Sequence, residues 1–230
     1  MKCAIMQPTY LPWSGYFNLI TNVDYFIFLD DVQHERRSWQ MRNRILLNGK
    51  ECLLSVPIEK CGRETLLKDV RTKDDTGWKR EHYLKLEQAY KKTSYGPLIL
   101  DALSSFYNEQ IDINNLSYFN RKVIVGISEY LGITTDFFLS SELNPFGIRS
   151  ERLGNLCKLV GADSYLSPLG SREYLENDNF SDNFHIKLEY QSFYPLPYGQ
   201  YKSKEFISHL SVVDLIANLG PREALKKIRG

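Results

Sequence analysis

The sequence predicts an α/β fold: a Rossmann-like, mostly parallel sheet with a β-hairpin and a helical insert. Three observations carry that prediction. Two short apolar runs, CAIM and DYFIFLDDV, are joined by a stretch with helical spacing, all within about thirty residues, which is the pattern of a βαβ unit. Two further apolar runs flank Asn48-Gly49, the strongest short hairpin signal. From Trp78 to Tyr130 the apolar residues recur at helical spacing.

Each element follows in order. CAIM is a buried strand ended by Gln7-Pro8, and YFNLITNV places Phe17, Ile20 and Val23 on one helical face. DYFIFLDDV is the second strand, closed by Asp30 and Asp31, and RNRILLNGKECLLSVPI is the hairpin. Trp78, His82, Leu86 and Ala89 fall on one helix face, and Gly96-Pro97 breaks that helix from the next. Asn114 or Asn115 caps a third helix that Gly132 stops. TTDFFLSSEL is a strand, SERLGNLCKLVGA a helix capped by Ser150, and DSYLSPL a short strand. HIKLEYQSF alternates like a half-buried strand, and LSVVDLIANLG is a closing helix capped by Ser211 and ended by Gly220. No repeat or low-complexity linker divides the chain, so one α/β domain over residues 1–230 is expected, mainly helical at about 77–131.

Bulk properties narrow the function. The 230 residues carry a net charge of +1, too little to draw the protein to nucleic acid or an acidic membrane. Fifteen Tyr and 12 Phe suit flat or sugar-like ligands as well as plain packing. Cys3, Cys52, Cys61 and Cys157 have no paired spacing, which favours reduced thiols over disulfides or zinc. No apolar run approaches the length of a membrane span and no leader pattern is present, so a cytoplasmic location is expected. GxSxG, HExxH, P-loop and GxGxxG motifs are missing from the sequence.

Four stretches carry candidate chemistry. QPTYLPWSGYF follows a buried strand, where α/β proteins place ligands, and offers Gln7, Tyr10, Trp13 and Tyr16. DDVQHERRSWQMRNRI crowds Gln33, Arg37, Trp39, Arg42 and Asn43 after the next strand; arginine forks bind carboxylate or phosphate, and the Trp offers a stacking face. Within it, Glu35, Arg36 and Arg44 read as a solvated face, and Asp30-Asp31 could hold a metal, although two neighbouring acids also occur often at plain strand ends. YLSPLGSREYL ends a strand at Ser167 and turns through Gly170, Ser171 and Arg172 into a helix, a candidate anion site. YPLPYGQYKSKEF is an irregular aromatic loop in which Tyr198 and Gln200 can meet a ligand. Among the histidines, His82 lies on an apolar helix face, whereas His34 and His209 suit acid–base work.

In order and spacing, AIMQPTYLPWSGYF, DDVQ with RRSWQMRNRI, SERLGNLCKLVGADSYLSPLGSREYL and LSVVDLIANLG resemble the corresponding stretches of the WbqC-like protein family, over nearly the whole chain. That family is typically encoded among bacterial genes for O-antigen lipopolysaccharide and other surface polysaccharides, so the resemblance implies a pathway more than a reaction. Its signature falls on Gln7, Pro8, Tyr10, Leu11, Pro12, Trp13, Gly15, Tyr16, Trp39, Arg42, Asn43, Arg152, Ser167, Gly170 and Tyr174. A fainter similarity runs to adenylate-forming nucleotidyltransferases, which open with strand, Gln-Pro, loop and helix. Where those enzymes carry a His-x-Gly-His pair, this chain has Pro12, Trp13, Ser14 and Gly15.

The expectation is a transferase acting on a nucleotide-linked amino sugar, by acyl or aminoacyl transfer to the sugar amine. His34 or Asp31 would accept the amine proton, and Arg37, Arg42, Ser171 and Arg172 would hold phosphates. An acyl or aminoacyl donor is the expected co-substrate, with Mg2+ required only for nucleotidyl transfer, and the protein is expected to work without nucleic acid and as a homo-oligomer. Two alternatives stand beside it: a nucleotidyltransferase lacking the histidine pair, and a non-catalytic sugar-nucleotide-binding or tethering protein.

Overall fold

Cys3, Ala4 and Ile5 are all buried although they alternate between the two faces of the first strand, because the sheet is covered by packed helices on both faces. The structure, a computed structural model, describes residues 1–108 and 114–230. In chain order, β1 (Lys2–Met6) leads through α1 (Ser14–Thr21) to β2 (Tyr25–Phe28), the expected βαβ unit. An antiparallel ribbon of β3 (Arg42–Leu47) and β4 (Lys50–Ser55) follows, then α2 (Trp78–Tyr90), α3 (Gly96–Ser104) and α4 (Leu116–Leu131). The main sheet resumes with β5 (Asp136–Leu139), the single-turn α5 (Ser140–Leu143) and α6 (Arg149–Leu159). The chain closes with β6 (Ser164–Ser167), α7 (Arg172–Asn177), α8 (Phe180–Phe184), β7 (Lys187–Tyr190) and α9 (Val212–Arg229).

The main sheet has five strands in the order β5-β2-β1-β6-β7, and every pairing in it is parallel. Counting only these strands, the order is third, second, first, fourth, fifth, the doubly wound order. Alternation along the central strands feeds two cores. Ala4, Phe26 and Phe28 join a cluster with α1, α4 and α9, whereas Cys3, Ile5 and Ile27 join one with α6 and α8 on the opposite face.

Local chemistry explains most boundaries. Asn48 and Gly49 both have positive φ, 53° and 76°, as a two-residue hairpin turn requires. Asn115 caps α4 by accepting from the Tyr118 amide at 2.8 Å, and Gly132 stops it in the left-handed region. The Ser211 side chain caps α9. Ser150 does not cap α6: the helix begins one residue earlier, and its hydroxyl binds Asp178 instead. Gly220 interrupts α9 at φ 79°, ψ 167°, but Pro221 starts a second helical run to Arg229, so the helix continues past its expected end. The helical insert contains α2 to α4, and residues 109–113 of it lie outside the described part. Among the described residues, no helix is long and apolar enough to cross a membrane.

Candidate functional site

In the doubly wound order the crevice opens between β1 and β6, where successive crossovers leave in opposite directions. A cavity of about 480 Å3 lies there. Met6, Trp13 and Tyr16 wall it from the β1 side, Pro168, Leu169 and Arg172 from the β6 side, and Tyr190 to Tyr194 from the end of β7. A second cavity of about 220 Å3 shares Met6, Trp13 and Tyr16 and is closed by Pro12, Trp39, Arg44 and His209. The Trp13 indole therefore stands between two compartments. Among the described residues, no acidic one lines either cavity, while Arg172 lines the larger and Arg44 and His209 line the smaller.

The loop after β1 is held on every side. Its Tyr10 amide donates to the Trp39 carbonyl at 3.0 Å, and the Asn43 amide donates to the carbonyls of Tyr10 and Leu11 at 3.2 and 2.7 Å. Those bonds brace Leu11 in the left-handed region at φ 42°, a strained geometry for a branched side chain. The Val212 amide donates to Pro12 at 2.8 Å and the Ser211 amide to Arg44 at 2.8 Å, which stitches the start of α9 between the loop and β3. His209 is carried in on that segment, and its ring lies 4.5 Å from the centre of Trp13. Gly15 leaves room for the indole: a Cβ there would sit 2.2 Å from Trp13 ring atoms. The Gln191 amide anchors the opposite wall by donating to the Gly15 carbonyl at 2.7 Å.

The expected residues fall into distinct places. Trp13 and Tyr16 wall both compartments; Trp39 and Asn43 line the smaller and Arg172 the larger. Arg42 lines neither, but its guanidinium stands 5.9 Å from the Trp39 ring, with Arg44 at 5.7 Å from the same ring. The Nε atoms of both arginines are buried without a hydrogen-bond partner. Tyr10 is in the core, its hydroxyl 2.8 Å from both His82 and Tyr107. Ser167 is fully buried, and Gly170 and Ser171 lie in the turn outside the cavity lining, at the head of a six-residue helix. Arg172 pairs with Glu176 at 3.0 Å and lies 4.8 Å over Tyr190. Tyr198 and Gln200 donate to the buried Asp214 carboxylate at 2.7 and 3.0 Å, away from both compartments. Burial raises the Asp214 carboxyl above its ordinary value. Gln33 is exposed and donates to the Arg63 carbonyl, and Arg37 is exposed with φ 59°.

The two expected bases line neither compartment. Asp31 accepts from Arg152 and Ser140, while Asp30 accepts from Ser141, so both carboxylates tie β2 to α5 and α6. His34 is buried with Nδ1 2.7 Å from Gln40 Oε1, and Gln40 in turn donates to Gln7 Oε1 at 2.8 Å. Desolvation lowers the His34 pKa, partly offset by the Gln40 hydrogen bond. Among the described residues, no three His, Cys, Asp or Glu side chains group as a metal site.

Sequence reasoning left out Arg44, taken as solvated, and the Gln191–Tyr194 wall. One signal was available: Gln191 follows β7 as directly as Gln7 follows β1.

The family model described as WbqC-like protein family matches residues 7–226. The chain is 35% identical over 227 residues to "Uncharacterized protein Rv1507c" of Mycobacterium tuberculosis, covering 95% of this chain and 94% of that one. No solved structure matches it.

Proposed function

The chain belongs to the WbqC-like protein family, and from that premise we propose that it binds a nucleotide-linked amino sugar in the switch-point cleft and transfers an acyl or aminoacyl group to the sugar amine during surface-polysaccharide assembly. One observation carries the reading: the cavity of about 480 Å3 opens at the reversal of strand order, walled by rings, with an arginine and, among the described residues, no acid in its lining. Trp13 and Tyr190 offer faces to a base or sugar ring, and Arg172 offers a fork to the phosphates. Its pair with Glu176 is exposed and exchanges for a phosphate at little cost. In the transfer the amine nitrogen bonds to the acyl carbon of the donor, the bond from that carbon to the donor's leaving group breaks, the leaving group departs with that electron pair, and the nitrogen gives up a proton. His34 and Asp31 line neither compartment and so are not placed to take that proton, while His209 lines the smaller compartment, on the far side of Trp13 from the sugar nucleotide.

A second reading, nucleotidyl transfer, is favoured by one fact: His209 brings an imidazole onto the loop that lacks the histidine pair of those enzymes. Release of pyrophosphate from a nucleoside triphosphate would select it over acyl transfer.

Thermal unfolding with a panel of nucleoside-diphosphate amino sugars tests the main reading. A true ligand at a hundredfold excess over its dissociation constant stabilises by about 2.7 kcal/mol. Arg172→Ala should weaken that ligand about tenfold. A panel in which no member raises the transition temperature contradicts the proposal.

A further inference from the structure

The compartment of about 220 Å3 is not needed by the core. Its walls include Trp39, a tryptophan left 50% exposed, and Arg44, whose Nε is buried with no hydrogen-bond partner. Arg44 is one of four arginines with a buried, unpartnered Nε among the described residues, and it is the one of the four that lines this cavity, beside the half-exposed Trp39. We propose that this compartment is a second ligand subsite, which takes a small planar acid while the larger compartment holds the sugar nucleotide.

Size, shape and charge each select that chemistry. The space equals roughly seven waters, enough for one six-membered ring with an acidic substituent and too little for a nucleotide. Indoles at Trp13 and Trp39 and the imidazole of His209 make flat walls, and flat rings stack on such walls. Arg44 lines the space and Arg42 stands over the same Trp39 ring, while Glu51, the carboxylate paired with Arg44, lies outside the lining, so among the described residues the walls favour an anionic ligand. The exposed Arg44–Glu51 pair, at 2.7 Å, is easily traded for such a ligand.

Trp13 makes the two sites neighbours. Its ring lies against Gly15 and belongs to both linings, so ligands in the two compartments would be separated by one indole. The inference rests on the sugar-nucleotide reading only for the occupant of the larger space.

Intrinsic fluorescence reads the smaller compartment, because Trp13 and Trp39 line it while Trp78 is buried in the core. Benzoate is the probe, with cyclohexanecarboxylate testing planarity and benzyl alcohol testing charge. Benzoate should change the emission saturably, and each control should bind at least about tenfold more weakly. Arg44→Ala and, as a milder substitution, Arg44→Lys should weaken benzoate by about tenfold or more, with circular dichroism confirming that both variants fold. Arg172→Ala should leave benzoate binding unchanged, and a saturating nucleoside-diphosphate amino sugar should not displace it. Displacement by the sugar nucleotide, equal binding of the controls, or no emission change at all would overturn the subsite. Benzoate binding with no response to any sugar nucleotide would instead remove the reading of the larger compartment and leave the subsite standing.

Discussion

His82 shows how one side chain can serve the fold and stay out of the chemistry. Its ring is buried against Trp78 and 2.8 Å from the Tyr10 hydroxyl, which meets Tyr107 in turn. Desolvation pushes its pKa down to about 4; the nearby Lys85 adds to the shift and Glu81 opposes it. The folded state therefore keeps His82 neutral, while the unfolded chain takes up a proton near pH 6.5. Stability is complete above that value and falls as pH drops toward 4, by about 3 kcal/mol from this residue. Burial of His34 adds a loss of the same sign. Urea unfolding of the parent and of His82→Gln across this range should show a shallower pH slope in the variant. Identical slopes would mean that His82 titrates alike in both states. Asn43 is a second example: expected to meet a ligand, it spends its amide on two loop carbonyls as well as lining the smaller compartment.

The loop from Gln7 to Trp13 depends on elements far along the chain. Apolar runs, the Asn-Gly turn and the caps at Asn115 and Ser211 are local signals, and they place the strands, the hairpin and most helices directly from sequence. The roles of rings within one loop are not local. Tyr10 turns into the core because His82 and Tyr107 receive its hydroxyl, 72 and 97 residues away, whereas Trp13 stays in the cleft because the start of α9 pairs beside it. Arg44 looks solvated by composition, and only the approach of residues 209–212 to β3 makes it a cavity wall. The continuation of α9 past Gly220 was hidden for a simpler reason, since Gly-Pro reads as a stop although Pro is favoured at a helix start. Gly15 tests this element most simply. Gly15→Ala puts a methyl group into the indole, so the ring must move and both compartments must change shape. The variant should keep its helix content by circular dichroism yet bind both classes of ligand at least about tenfold more weakly. Parent-like binding would show that the Trp13 position does not matter.

Across the whole molecule, strand order creates the site. Placing β6 beside β1 after the excursion through β2 and β5 opens the crevice, and two apolar cores on opposite faces of the sheet hold its walls. Into that crevice the chain delivers rings from the β1 loop, an arginine from α7 and the strap after β7. Asp31 sits at the same carboxyl edge but ties the end of β2 to α5 and α6, while His34 is spent on Gln40 inside the loop that follows β2. The most direct test of the central claim is a crystal structure with a bound nucleoside-diphosphate amino sugar. The account predicts ligand density between Trp13 and Tyr190 with a phosphate on Arg172. Well-ordered ligand bound elsewhere, with the crevice holding only solvent, would contradict it.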